Sequence, residues 1–344
     1  MKIGLIGRAD RTGLGIETAE FVRHFPDTKV LIAAIPPKDA QNASYYDLNL
    51  KGLADCEVWD MPLSDKVLRA FLKGLDVLFT IETPYNRNAY KIAREMGVKT
   101  ILRVNYEWLE DYESNPDIFL APSLWHFSNY PQPSAYLPYP IATDRIKFRL
   151  RKKAKTFVHI AGNMKAANDR NGTEALIKAI PLVKNQNIKF IIKSQVEIPS
   201  IKDKRVQVIC QDVENYWENW DGDGDVLVLP RRYAGQSLPL NEAMASGMAI
   251  MATNMSPQAD FLPSELLIPI RGTLEMDINR PIEVCQINPR DIAAKIDEIA
   301  ETDITRFSKI SGHIAKEWSW DNLKPKYLTI FNNLYASNND HDQD

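Results

Sequence analysis

Cysteine is scarce: Cys56, Cys210 and Cys285 are the only three in 344 residues. Their wide separation makes neither a disulfide framework nor a metal-ligand spacing, and the expected compartment is a reducing cytoplasm. The five histidines, His24, His126, His159, His313 and His341, show no ligand spacing either, so no metal is expected. No apolar run approaches the length that crosses a bilayer. The opening MKIGLIG enters a strand at once and lacks a signal-peptide layout. Charge of one sign is also missing: a formal net charge of -3 gives no global field to draw the chain to nucleic acid or membrane. What remains is ordinary globular composition, 44% hydrophobic and 25% charged. At this length one core rarely keeps growing, so two domains are expected.

Strand and helix patterns alternate twice. The first half reads as strands at 2–6, 29–34, 77–81, 99–104 and 118–121, with a weak strand at 58–60 and helices at 16–24, 66–72 and 86–96. The second half restarts with strand 156–161, helix 173–180, and strands 189–193 and 206–209. Such alternation implies parallel sheets with helices on both faces. The basic stretch DRIKFRLRKKAK, 144–155, looks like the join between halves.

The most informative stretch is VLVLPRRYAGQSLPLNEAMASGMAIMAT, 226–253. An apolar strand (226–229) leads to a polar loop (230–237), then a helix opened by Leu238 and Pro239, a glycine stop at Gly247, and another apolar strand (249–252). Proline suits the first helical turn, where no N–H partner is lost. Gly235, Gln236, Ser237 and Leu238 can aim free amides, with the positive end of the helix dipole, at an anion. Glu242, one turn inside, is placed to accept two hydrogen bonds from a diol. An anion cradle beside a diol acceptor suits a nucleotide, with diphosphate on the loop and ribose on the glutamate. An ordinary strand–helix–strand unit would carry the same pattern.

Glu242-Ala243-Met244-Ala245-Ser246-Gly247 resembles the donor-site helix of retaining glycosyltransferases of the GT-B fold, family 4 type. That family has a further glutamate eight positions earlier; here Ala234 stands there, which removes one sugar-hydroxyl contact. The resemblance implies two Rossmann-like domains facing a central cleft: an acceptor domain at 1–150 and a donor domain at 151–312. It also implies a C-terminal helix at 313–336 crossing back to the first domain, with Trp318, Trp320, Tyr327 and Phe331 as its apolar face. The acidic end, 337–344, is expected to be disordered.

Two more segments match in order. FVHIAGNMKAANDRNGTEALIKAI, 157–180, resembles the strand–glycine–basic loop–helix that opens the donor domain. Asn163 stands at the family's arginine and Arg170 near its lysine, with Lys165 between them. Lys193, at a strand end, is a second cation for the diphosphate. Charge grows there as the glycosidic bond breaks, and fixed positive charge in a dry site stabilises it. YLPYPIATDRIKF, 136–148, resembles the segment before the family's interdomain hinge. Asp212 and Val213 follow strand 206–209 and precede an aromatic helix (216–220); the resemblance places the nucleobase there.

In the first half, Gly13 and Gly15 resemble the family's first loop, which approaches the donor diphosphate. A dinucleotide reading fails because GxGxxG and the ribose-binding acid are absent. Glu82, Asn105, Tyr106, Glu107 and Trp108 sit at C-terminal strand ends, where α/β sheets place ligands. Glu82 and Glu107 can orient an acceptor hydroxyl, or serve as capping or salt-bridged carboxylates. His126, isolated, reads as structural. The acidic turn Asp221-Gly222-Asp223-Gly224-Asp225 lacks the closing glutamate of a calcium loop and reads as solvated.

The expected activity is transfer of a sugar from a nucleotide-diphosphate sugar, with UDP the expected carrier, to a hydroxyl with retention and without a bound metal. Arg170, Lys193 and Glu82 are the candidate catalytic residues. The motif combination is similar to a bacteriophage subgroup, some of whose members decorate hydroxymethylated DNA bases. The seven basic residues of 144–155, with Arg231 and Arg232, can neutralise phosphates of duplex DNA. A cell-surface glycan or small-molecule acceptor, a nucleotide-sugar epimerase and a binding-only relative are the alternatives. The oligomeric state is left open.

Overall fold

Runs of Val, Ile, Leu and Ala bounded by turns supply strands that are buried on both faces, as parallel sheets require. The computed structural model describes residues 1–10, 12–34, 56–162, 168–210, 216–220, 222, 224–233 and 235–339. It divides into two units, Met1–Pro138 with Asp321–Asp344, and Tyr139–Trp320.

In the first unit the chain runs β1 (Ile3–Gly7), α1 (Gly13–His24), β2 (Lys29–Ala34), β3 (Cys56–Asp60), α2 (Asp65–Leu72), β4 (Val77–Ile81), α3 (Ala89–Glu95), β5 (Lys99–Arg103), β6 (Ile118–Ala121) and β7 (Ser134–Tyr136). These form one parallel sheet in the order β3-β2-β1-β4-β5-β6-β7. On one face Ile6, Leu31 and Leu78 pack with Phe71, Leu68 and Ile92.

The second unit runs β8 (Thr156–Gly162), α4 (Thr173–Ala179), β9 (Lys189–Ser194), β10 (Val206–Cys210), β11 (Val226–Leu229), α5 (Leu238–Ala245), β12 (Ala249–Thr253) and β13 (Leu267–Ile268). The sheet is parallel, in the order β10-β9-β8-β11-β12-β13. An antiparallel hairpin, β14 (Thr273–Asp277) and β15 (Pro281–Cys285), stands outside it. Helices α6 (Pro289–Ala300) and α7 (Thr305–Glu317) follow. The two-residue period of β11 sends Val226 and Val228 into the α4/α6 side of the core, and Leu227 and Leu229 into the α5/α7 side.

The last helix, α8 (Trp320–Asn339), is counted with the first unit from Asp321 onward. Phe331 lies 5.8 Å from the Phe25 ring and 5.9 Å from Phe79. Tyr327 accepts a 2.8 Å hydrogen bond from the buried Arg103 guanidinium, which also pairs with Glu17 at 2.6 Å. Trp318 stays in the second unit, 4.9 Å from the Phe261 ring. The helix reaches Asn339, beyond the stop at 336 expected from the sequence; residues 340–344 of the acidic end lie outside the described residues.

The stretch 144–155 lies inside the second unit. Its Arg151 is buried and donates to the carbonyls of Gly224 at 2.9 Å and Ser246 at 2.7 Å. Among the described residues no helix is long and apolar enough to cross a membrane, and no cluster of His, Cys, Asp or Glu could hold a metal ion.

Candidate functional site

Strands β8 and β11 are neighbours, while the chain continues from β8 to β9 on one side and from β11 to β12 on the other. This reversal leaves a crevice beyond the carboxyl ends of the two strands, where open α/β sheets bind ligands. The described parts of the loops after β8 and β11 lie at these strand ends, and α5 follows the second of them.

In the first loop, Asn163 and Lys165 lie outside the described residues. Asn168 and Asp169 both sit at φ 47°, a left-handed conformation. The Asp169 carboxylate accepts from the amides of Thr173 at 2.8 Å and Glu174 at 3.0 Å. It thereby caps α4, satisfying donors that a helix start leaves open. Gly172 has φ 71°, and a Cβ there would overlap the Pro230 carbonyl, so the two loops touch backbone to backbone. Arg170, half-buried, accepts at its own carbonyl from the Arg232 amide at 2.8 Å.

His159 locks the floor of this loop. One ring nitrogen, Nδ1, lies 2.8 Å from the Val228 carbonyl, and Nε2 lies 2.9 Å from the Thr173 hydroxyl. A carbonyl only accepts, so Nδ1 carries the proton and Thr173 donates to Nε2. Burial pushes this imidazole down to about 4, and it is neutral.

In the second loop, Gly235, Gln236 and Ser237 are buried and Leu238 half-buried; Ala234 lies outside the described residues. Ser237 occupies the cap position of α5 without a side-chain cap bond, Pro239 stands in the first turn, and that turn holds no acid. The amides at this helix start are not closed off by a side-chain cap or an acid, which favours an anion. The Gln236 side chain is used internally: its oxygen accepts from the Tyr139 amide at 2.5 Å and its nitrogen donates to Asn241 at 3.2 Å.

Glu242 is buried one turn into α5, and the Tyr216 hydroxyl donates to its Oε2. Burial and the Glu242 charge hold the Tyr216 phenol well above its ordinary range, so it stays a donor. Tyr216 opens the 3-10 turn Tyr216–Trp220. Sequence reasoning marked this segment as aromatic but gave Tyr216 no role. Asp212 and Val213, the candidates for the nucleobase, lie outside the described residues. Lys193 is the last residue but one of β9, in register with Ile160 of β8, and burial lowers the pKa of its ammonium.

Arg231 and Arg232, expected to reach an acceptor, are bound into the protein. Arg231 is buried and its Nε donates to the Tyr233 carbonyl at 3.1 Å. Arg232 donates to the Asn168 carbonyl at 3.0 Å.

The first unit has a matching reversal between β1 and β4. Gly13 is exposed and opens α1; Gly15 is buried, and a Cβ there would overlap the Asp10 carbonyl. Close packing of helix on loop is thus enough to require that glycine. Asp10 pairs with Arg8 and accepts from the Thr12 amide at 3.0 Å.

At the end of β4, Glu82 adopts φ 65° and is buried. Asn105 donates its amide to Glu82 Oε2 at 3.3 Å and its side-chain nitrogen to Oε1 at 3.4 Å. Burial pushes the Glu82 carboxyl up to about 8, helped by the charges of Glu107 and Glu17. Glu107 is fully buried in the 3-10 turn Tyr106–Trp108. The Tyr106 ring stacks on His126 at 4.5 Å, and Trp108 is exposed. Glu82 and Asn105 are therefore joined directly, with Glu107 near enough to act on Glu82 through its charge.

Residues 155–300 match the family model described as "Glycosyl transferases group 1". That segment contains β8 through α6. No curated protein matches the sequence. Among solved structures, the chain is similar to sucrose-phosphate synthase from Thermosynechococcus elongatus, with TM-score 0.65 and 12% identity, covering 98% of this chain and 100% of that one. It is similar to Anabaena HepE in complex with UDP, with TM-score 0.67 and 11% identity, over 97% and 100%. It is also similar to the lipopolysaccharide outer core galactosyltransferase WaaB, with TM-score 0.60 and 14% identity, over 98% and 99%. These likenesses establish the fold, two parallel-sheet Rossmann-like halves of the GT-B kind.

Proposed function

We propose that this chain, whose residues 155–300 match a glycosyltransferase family model, transfers a sugar from a UDP-sugar to an acceptor hydroxyl, with retention and without a bound metal. One observation carries this reading: the start of α5, with no side-chain cap or acid, faces the same strand ends as the Arg170 loop, with Glu242 anchored one turn inside. Diphosphate on the helix start, ribose on Glu242 and the cation of Arg170 toward the phosphates is the arrangement that follows. UDP is favoured as carrier because HepE was solved with UDP and with UDP-glucose.

In the proposed reaction the bond from the anomeric carbon to the β-phosphate oxygen breaks. The acceptor oxygen bonds that carbon from the same face, and its proton passes to the departing phosphate oxygen. The products are a glycoside and UDP. Protein groups supply position and charge stabilisation, so no covalent nucleophile and no metal need enter.

For the acceptor, a hydroxymethylated base in duplex DNA is supported by six exposed cations: Arg145, Lys147, Arg149, Lys152, Lys153 and Lys155. A second reading, an uncharged polyhydroxy acceptor, is favoured by Glu82 and Glu107. Carboxyls near strand ends can hydrogen-bond the hydroxyls of such an acceptor.

The test is incubation with a panel of nucleotide sugars, with hydroxymethylated duplex DNA or neutral oligosaccharides, read by mass spectrometry. Acceptor gain by one sugar mass with UDP release is expected. Epimer formation, or binding with no transfer to any acceptor, would replace this reading.

A further inference from the structure

The hairpin β14–β15 lies outside both sheets, yet it is bonded to the candidate donor loops: the Cys285 thiol donates to the Arg231 carbonyl at 3.5 Å, and Arg232 makes the remaining links. Arg232 donates its backbone amide to the Arg170 carbonyl at 2.8 Å and Nη1 to the Asn168 carbonyl at 3.0 Å. On its other side the Arg232 carbonyl accepts from the Cys285 amide of β15 at 2.9 Å, and Nη2 reaches the Met276 sulfur of β14 at 3.8 Å. Arg232 thus bridges the Asn168–Arg170 turn and the hairpin.

The turn needs such a bridge. Asn168 and Asp169 are consecutive non-glycine residues at φ 47°, a region that even Asn and Asp ordinarily visit singly. Such a conformation persists only where surrounding contacts over-determine it. The Asp169 carboxylate fixes the α4 side of the turn. Arg232 fixes both carbonyls that flank Asp169.

Resting on the proposed donor reading, we infer that Arg232 is a positioning residue: it holds the turn so that Arg170 faces the donor diphosphate, with the hairpin as its brace. A displacement of about 1 Å in a group that stabilises the transition state costs on the order of a hundredfold in rate. Loss of the bridge therefore acts on turnover more than on nucleotide affinity, because the Glu242 half of the site is untouched.

The experiment is a double-mutant cycle in the full chain, using Arg170→Ala, Arg232→Met, Arg232→Lys and the pair Arg170→Ala/Arg232→Met. Turnover with the active UDP-sugar, its KM and calorimetric UDP affinity are measured. Arg232→Met is expected to lower kcat by roughly 10- to 100-fold, with UDP affinity within about threefold of wild type. Arg232→Lys, which keeps a cation on a different stem, should fall between. Residues acting as one unit are non-additive, so the pair should be no slower than Arg170→Ala alone. Multiplicative losses in the pair, or an unchanged kcat in Arg232→Met, overturn the inference. If Arg232→Met does not fold, an Arg232→Lys variant with wild-type kcat overturns it. Wild-type protein that binds no UDP contradicts the donor reading itself, and that outcome is distinguishable because it precedes any substitution.

Discussion

The Tyr216 hydroxyl donates to the Glu242 carboxylate, which joins the 3-10 turn before β11 to the helix after it. A buried carboxylate needs such a donor, since an unpaired charge away from water is costly. Tyr216→Phe removes this donor from the carboxylate. Hydrogen bonds to charged groups are worth about 1.5–3 kcal/mol, of which Glu242 recovers part through water. UDP affinity should fall roughly 3- to 30-fold by calorimetry, with little change in Tm. Affinity equal to wild type would remove Tyr216 from the site.

Much of the fold could be read directly from the sequence. The strands expected at 29–34, 77–81, 118–121 and 226–229 have those bounds, because uninterrupted apolar runs between turns leave few other solutions. The hairpin β14–β15 was missed: it alternates Glu275, Asp277 and Glu283 with single apolar residues and forms a two-stranded sheet of its own. The helix α5 was legible because Pro239 and Gly247 punctuate its two ends. Partnerships across the chain were not. Nothing in spacing links Tyr216 to Glu242, or His159 to Thr173, since such pairs exist only once a strand and the segments flanking it have packed. Arg231 shows the same limit from the other side: of a charged pair expected to neutralise phosphates, one member is buried.

His159 makes stability fall in mild acid. Its folded pKa is lowered to about 4 from 6.5, so below pH 6.5 the unfolded chain takes up a proton that the native state refuses. Stability is therefore lost as pH drops from about 6.5 toward 4. Urea midpoints measured across that window should decline less steeply in His159→Phe, although that variant is weaker at pH 7. Parallel slopes in both proteins would show that His159 is not held neutral.

Glu82 acts with the opposite sign. Its folded carboxyl stands at about 8 against 4.5, so the native state keeps a proton that the unfolded chain releases. Stability is full below about pH 4.5 and declines as pH rises toward 8. Glu82→Gln keeps the shape and removes the titration, so thermal melts between pH 5 and 8.5 should flatten. A slope identical to wild type would contradict this assignment.

Gly172→Ala tests the contact between the two candidate donor loops. The position combines φ 71° with a backbone carbonyl where the Cβ would go. The expected loss is on the order of 1–3 kcal/mol, read from chemical denaturation, with transfer reduced because Pro230 must move. A neutral substitution would show that the loops do not touch.

The central claim is that a nucleoside diphosphate rests on the start of α5 with its ribose on Glu242. Calorimetric titration of UDP into wild-type protein and Glu242→Ala, both shown folded by circular dichroism, tests it most directly. The account predicts one site in the wild type and an affinity at least roughly tenfold weaker in the variant. Equal affinities, or no binding by the wild-type chain, would contradict it.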